Sequence, residues 1–274
     1  MTKNILIIGL KDIDSGKTSL ARAIISYLKD KDYKTCGFKP FSGNNIWYDF
    51  GFIARTLSEG RIYSRDIQLL KQESAVNISE ELLNPIHRVW NEPATLDPIT
   101  SLPNFIFDRV TIRDKFKNEY FLVINQNNLK QLPAIYYKKI SEKSYVKYTI
   151  NGIGDLNNLI QKYYKKALVR NYQAIKNKFD FIVIESYADQ ALFKWDGLDH
   201  FETVLAIGPW QIVKYDPFKY EKALQILKQL HSWEISTKKL TDLLKPVKKI
   251  QLNAVRSDKV FKYLRDKMSL MIDF

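Results

Sequence analysis

The sequence has one cysteine, Cys36, and three widely separated histidines, His87, His200 and His231. One thiol excludes an internal disulfide and a cysteine cluster for zinc, and the histidines share no metal-ligand spacing, so zinc and dithiol chemistry drop out. Cys36 lies in an apparent strand, where core packing is its expected role. Long apolar runs are also missing: no stretch approaches the roughly 18 residues of a membrane span, and Lys3 and Asn4 precede only a four-residue apolar run. We therefore expect no signal peptide, no membrane partner and a cytoplasmic protein. Internal repeats and a long basic tail are absent as well.

What the chain has is positive charge and a large apolar fraction. Basic residues outnumber acidic ones 43 to 30, giving a formal charge of +13, which raises the local concentration of nucleotides, nucleic acids and acidic protein partners. The lysines are spread along the whole length, so nucleic acid is the less favoured partner and a solvated basic surface the plainer reading. With 274 residues, 45% of them hydrophobic, the chain can bury an extended α/β core. We expect one domain over 1–274.

The organising stretch is Asn4 to Leu28, NILIIGLKDIDSGKTSLARAIISYL. Ile5 to Ile8 read as a buried strand, and Leu20, Ile24 and Leu28 as one face of a helix, so the period changes across Gly16-Lys17-Thr18. A strand, a polar turn and a helix beginning at GKT read as a phosphate-binding loop, the alternative being a chance GKT on an ordinary βα turn. Gly16 lets backbone N–H groups approach phosphate, Lys17 reaches the terminal phosphates, and the Thr18 hydroxyl ligates Mg²⁺. The usual G-x-x-x-x-G-K-[ST] spacing would need glycine at position 11, where Lys11 stands, and the upstream glycine is Gly9. The loop is a divergent form in which Gly9, Lys11, Asp12, Asp14, Ser15, Gly16, Lys17, Thr18 and Ser19 are the candidate nucleotide contacts.

The next strand, Tyr33 to Phe38, delivers Lys39-Pro40 and a turn, FSGNN. Lys39 either faces the phosphate crevice beyond the strand's carboxyl end or is a surface loop lysine. FDFIVIE, Phe179 to Glu185, is an apolar strand ending in a carboxylate. Glu185 is either a Mg²⁺ ligand or a solvated strand-end group, whereas Asp180 at the opposite end is structural.

The run GLKDIDSGKTSLARAIISYLKDKDYKTCGFKPFSGN resembles the opening of dethiobiotin synthetases and the related cobyrinate amidotransferase synthetase domains, with similar spacing from Lys17 to Lys39. The resemblance implies a doubly wound, mainly parallel α/β sheet of the P-loop NTPase type, ATP and Mg²⁺ as cofactors, and Lys17, Lys39 and Glu185 in catalysis. Ser64 to Leu70 is similar to the family's SDxLxL segment, which implies a metal role for Asp66; alone, Asp66 would be a first-turn carboxylate on a helix. Asn84-Pro85 matches the family's NP dipeptide, while Glu92-Pro93-Ala94-Thr95 replaces its AP-containing piece. A homodimer is implied by resemblance only. The departures are one extra loop residue, GLKDID in place of a GTDT-like start, and Ser186-Tyr187-Ala188-Asp189 where the family has glycines.

From 104 to 150 the resemblance fades. FIFDRVTIRD, EYFLVIN, AIYYKKI and YVKYTI read as strands of a small antiparallel insertion. Its lysine and tyrosine alternation is compatible with a nucleic-acid surface, but a sheet with one solvated face is the plainer reading. Asn151 to Phe179 reads as the longest helix, Thr203 to Ile207 as a strand, Pro217 onward as a helix and Lys248 to Asn253 as the last strand. Asn253 is the candidate contact to the nucleotide base. The expected function is ATP-dependent activation of a small carboxylate or carbamate, with a small-molecule substrate different from the family's. The alternatives are a nucleotide-driven switch or maturation ATPase or GTPase acting on a protein, and a nucleic-acid-associated ATPase.

Overall fold

The computed structural model describes residues 2–11, 14–91, 96–98, 100–115, 117–143, 145–192, 195, 197–230 and 235–272. The chain runs through β1 (Lys3–Gly9), α1 (Lys17–Lys29), β2 (Thr35–Phe38), β3 (Phe41–Asn45), α2 (Phe50–Ser58), α3 (Arg65–Ser74) and α4 (Glu80–Leu83). There follow β4 (Ile86–Trp90), β5 (Phe105–Arg113), β6 (Asn118–Asn125), α5 (Ala134–Ser141), β7 (Val146–Ile150), α6 (Ile153–Leu159), a π-helical turn (Ile160–Tyr164) and α7 (Lys165–Ile175). The rest is β8 (Phe181–Glu185), β9 (Phe201–Gly208), β10 (Gln211–Tyr215), α8 (Pro217–Leu230), α9 (Thr237–Thr241), β11 (Lys248–Gln251) and α10 (Val260–Asp266). Two compact units result: Met1–Pro40, Leu69–Asn77 and Ile175–Phe274 form the first, and Phe41–Gln68 and Ile78–Ala174 the second.

The first unit is a doubly wound α/β sheet in the order β11-β10-β9-β1-β8-β2, flanked by helices. β9, β1, β8 and β2 are parallel, while β10 is antiparallel to both β9 and β11. Ile5 to Ile8 and Ile182 to Ile184 are fully buried, the continuous apolar pattern of strands covered on both faces. Leu20, Ile24 and Leu28 of α1 are also at 0% exposure, and each such side chain stabilises the packing by roughly 1.5–3 kcal/mol. Cys36 is buried in β2, and burial pushes its thiol pKa well up, consistent with a packing residue. Asp180 accepts from the Lys34 N–H at 2.8 Å, the structural role expected of it.

The strand order positions the site. α1 carries the chain from β1 past β8 to β2, whereas the segment after β8 returns to β9 on the far side of β1. The carboxyl ends of β1 and β8 therefore flank a reversal of strand order, where open α/β sheets form a crevice.

The second unit has a five-stranded sheet, β3-β4-β5-β6-β7, that draws on Phe41–Asn45 and Ile86–Trp90 as well as the stretch 104–150. It is mixed rather than antiparallel: β3 with β4 and β6 with β7 run parallel, and the two central pairings are antiparallel. AIYYKKI is accordingly a helix, α5, not a strand. A parallel β6–β7 pair needs a crossover, Pro133 sits at the helix N-cap, and Tyr136, Tyr137 and Ile140 pack inward at helical spacing. FSGNN, read as a turn, is β3, and it pairs in parallel with IHRVW, β4. Arg109 of β5 is fully buried and donates to the carbonyls of Ile62, Asn84 and Pro85 at 2.6–2.9 Å. Burial lowers its pKa to about 10. Among the described residues, no helix is long and apolar enough to cross a membrane.

Candidate functional site

The site grows from the end of β1. A Cβ on Gly9 would lie 2.6 Å from Lys17 Nζ, 2.8 Å from Ser15 Oγ and 2.9 Å from the Lys11 carbonyl, so the lysine folds back over a position that only glycine fits. Gly16, at φ 92°, takes the left-handed turn that admits the chain into α1. No side chain caps α1, which leaves the positive end of the helix dipole at the loop. Lys17 is only 8% exposed, and its Nζ donates to Ser15 Oγ at 3.1 Å and to the Ala188 carbonyl at 2.6 Å.

We expect Gly9→Ala to displace this lysine. Lys17 Nζ can swing away from a new methyl, but the Lys11 carbonyl cannot, so overpacking of about 1–3 kcal/mol follows. Urea denaturation measures it, and an unchanged midpoint would contradict the close approach.

β8 and β2 bring the second half of the site. Glu185 Oε1 accepts from Thr18 Oγ1 at 3.0 Å and from Lys39 Nζ at 2.5 Å. The Lys39 and Glu185 side chains are 4% and 1% exposed, a desolvated ion pair at the reversal of strand order. Lys39 is thus not a surface lysine, nor Glu185 a solvated carboxylate. The segment after Glu185 turns at Ala188, where φ is 48°. It is tied down by Thr237 N–H donating to the Asp189 carbonyl at 2.5 Å and by Ala191 N–H donating to the Ile235 carbonyl at 2.8 Å. That turn presents the Ala188 carbonyl to Lys17.

The structure brings together Gly9, Ser15, Gly16, Lys17, Thr18, Lys39 and Glu185. Lys11 and Asp14 are exposed loop residues, Ser19 is half-buried on α1, and Asp12 lies outside the described residues. Asn253 is exposed just after β11, its N–H donating to Tyr263 Oη at 2.9 Å. β11 runs in the same direction as β1 and lies three strands from it, so Asn253 leaves the same end of the sheet about 14 Å across. Asp66 is in the first turn of α3, in the stretch belonging to the second unit, and the bonds above do not involve it.

A second constellation has the residue types of a nucleophilic triad and is not one. Ser42 Oγ donates to Asn84 Oδ1 at 2.8 Å and lies 2.7 Å from His87 Nδ1. With the serine proton directed to Asn84, His87 Nδ1 is the donor to Ser42 rather than its base. All three residues are at most 1% exposed. This network joins β3 to β4 and makes His87 a hydrogen-bonded core histidine. His200 pairs with Glu221 at 2.6 Å, and His231 lies outside the described residues.

Chemically, the first-unit cluster offers two ammonium groups, two hydroxyls and one carboxylate beside a helix N-terminus. Among the described residues no group of three or more His, Cys, Asp or Glu is placed to hold a metal ion. A metal held here would take hard oxygens from Thr18 and Glu185 and complete its shell with ligand oxygens and water, the habit of Mg²⁺. No family model and no curated protein matches the chain. The site is therefore assigned from its own residues. The sequence reading lacked one participant, the Ala188 carbonyl, because a backbone acceptor in a left-handed turn leaves no residue-type signature.

Proposed function

We propose that the first unit binds Mg²⁺-ATP in a P-loop formed by residues 9–18 and activates a small carboxylate or carbamate in a dethiobiotin-synthetase-like reaction. The observation that carries this reading is the convergence of Lys17, Thr18, Lys39 and Glu185 on the carboxyl ends of adjacent parallel strands. In that reaction Lys17 leaves the Ala188 carbonyl and offsets charge on the terminal phosphates, while the first-turn N–H groups of α1 bind phosphate oxygens. Thr18 and Glu185 would hold the metal, which would supply charge neutralisation. Lys39 turns from Glu185 towards the oxyanion of the acceptor.

A second reading is favoured by the Lys17–Ala188 contact. Phosphate that draws the ammonium from that carbonyl would release the segment after β8, as in a nucleotide-driven switch acting on a protein partner. Stimulation of phosphate release separates the two: small carboxylates, or amines with bicarbonate, stimulate an activating enzyme, and a protein stimulates a switch.

The substrate is expected to differ from the family's. Tyr187 and Asp189 occupy the turn where those synthetases carry glycines. An aromatic side chain in a pocket shaped for a slender diamine costs about 1–3 kcal/mol, a roughly tenfold to hundredfold loss in binding. Incubation with 7,8-diaminononanoate, bicarbonate and Mg-ATP should give no dethiobiotin by mass spectrometry. Product at about one turnover per second or faster would make the chain a plain dethiobiotin synthetase.

A further inference from the structure

The second unit carries aromatic side chains that its own core does not use. Trp47 and Tyr48, in the turn between β3 and α2, are 82% and 85% exposed. The turn that displays them is braced. Asn45 Oδ1 accepts from the Trp47 and Tyr48 N–H groups at 2.7 and 3.1 Å, and Asn45 Nδ2 donates to the Asn91 carbonyl at 2.8 Å. Asp49 Oδ2 accepts from Asn44 Nδ2 at 2.8 Å. A fixed turn spends little conformational entropy when its rings are covered.

Further rings and ammonium groups lie on the neighbouring elements. Phe50 meets Tyr136 edge-on at 5.8 Å, joining the turn to α5, where Ile135 and Lys138 are exposed. The end of α5 is joined to the edge strand β7 by Lys147 Nζ, which donates to the Ser141 carbonyl at 3.0 Å. On β7, Tyr148 lies 5.3 Å from Tyr163, and Lys162 Nζ stands 5.2 Å from that ring's centre. Between Arg113 and Arg170 the sequence has twelve basic residues and four acidic ones. That stretch carries a net charge of +8.

We propose that this strip, from Trp47 and Tyr48 along α5 to β7, binds single-stranded nucleic acid. Trp47 and Tyr48 stack on bases and the exposed lysines follow the phosphates. A single strand is the occupant because its base faces are open to stacking, while a duplex offers only its backbone to such a surface. A bilayer would want a contiguous apolar face, whereas these rings are interleaved with exposed lysines. The proposal is independent of the nucleotide reading of the first unit.

The test uses the full chain and fluorescein-labelled dT20 and rU20, followed by anisotropy at 50 and 200 mM salt. We expect saturable binding that weakens with salt, with a slope near 0.7 per phosphate contacted. Trp47→Ala/Tyr48→Ala should lose at least about tenfold in affinity with unchanged circular dichroism, and Lys138→Glu/Lys147→Glu should flatten the salt slope. Lys17→Ala should bind the oligonucleotides as the parent does. Three results would each overturn the proposal: no binding at 50 mM salt; equal binding by the aromatic double variant; or a duplex of the same length bound as tightly as the single strand. Binding to phosphatidylserine vesicles without binding to dT20 or rU20 would also overturn it, as would an aromatic double variant that changes only the oligomeric mass.

Discussion

Lys17→Ala is expected to lower Mg-ATP affinity by roughly tenfold to hundredfold, the loss of charge-assisted hydrogen bonds worth about 1.5–3 kcal/mol. The effect follows from position. Lys17 opens α1, is nearly buried, and projects its ammonium over Gly9 towards the crevice where phosphate would lie. That ammonium donates to the Ala188 carbonyl and to Ser15 Oγ, two neutral acceptors that phosphate oxygens would outcompete. Removing it takes away the cation and leaves the α1 N–H groups in place, so binding should weaken without loss of fold. Calorimetry with matched circular dichroism measures this. Equal affinity in both proteins would refute a phosphate role for the loop.

The second large effect is on stability. Lys39→Met leaves Glu185 as a desolvated carboxylate with Thr18 as its remaining partner in the cluster described above, and breaking a buried pair in this way costs about 3–5 kcal/mol. Glu185→Gln should cost less, because the amide oxygen still accepts from Thr18 and Lys39. The double variant Lys39→Met/Glu185→Gln removes both charges and should recover part of the loss, a non-additivity that urea midpoints reveal. Additive losses below about 1 kcal/mol each would contradict the ion pair, since exposed pairs behave that way. The same variants report on function: Glu185→Gln should raise the Mg²⁺ needed for turnover while leaving metal-free nucleotide affinity little changed.

The elements around Lys17 were legible because their residue types are forced. A strand buried on both faces must be apolar, a helix on such a sheet must show a 3.6-residue period, and a glycine under Lys17 admits no side chain. Ile5 to Ile8, Leu20 to Leu28 and FIVIE of β8 carry those signals openly. β3 and β4 were harder to read, because Gly43 and two asparagines in one and Pro85 just before the other are turn chemistry by composition. Their strand state comes from pairing with each other and, for β4, with β5, and from the buried Ser42–Asn84–His87 bonds, all tertiary contacts. α5 shows the converse, with tyrosines and isoleucines of high strand propensity set at helical spacing by the crossover they must make. β10 went unread because IVKY runs straight into the α8 pattern, and only the left-handed turn at Trp210, φ 69°, separates it from β9. The closing of Ala188 on Lys17 depends on backbone geometry alone.

A crystal grown with Mg²⁺ and a non-hydrolysable ATP analogue tests the central claim most directly. The account predicts the terminal phosphates within hydrogen-bond reach of Lys17 Nζ and of the first-turn N–H groups of α1, Mg²⁺ on Thr18 Oγ1, and the Lys17–Ala188 contact broken. Density for the analogue elsewhere, or none with Lys17 still on the Ala188 carbonyl, would contradict it.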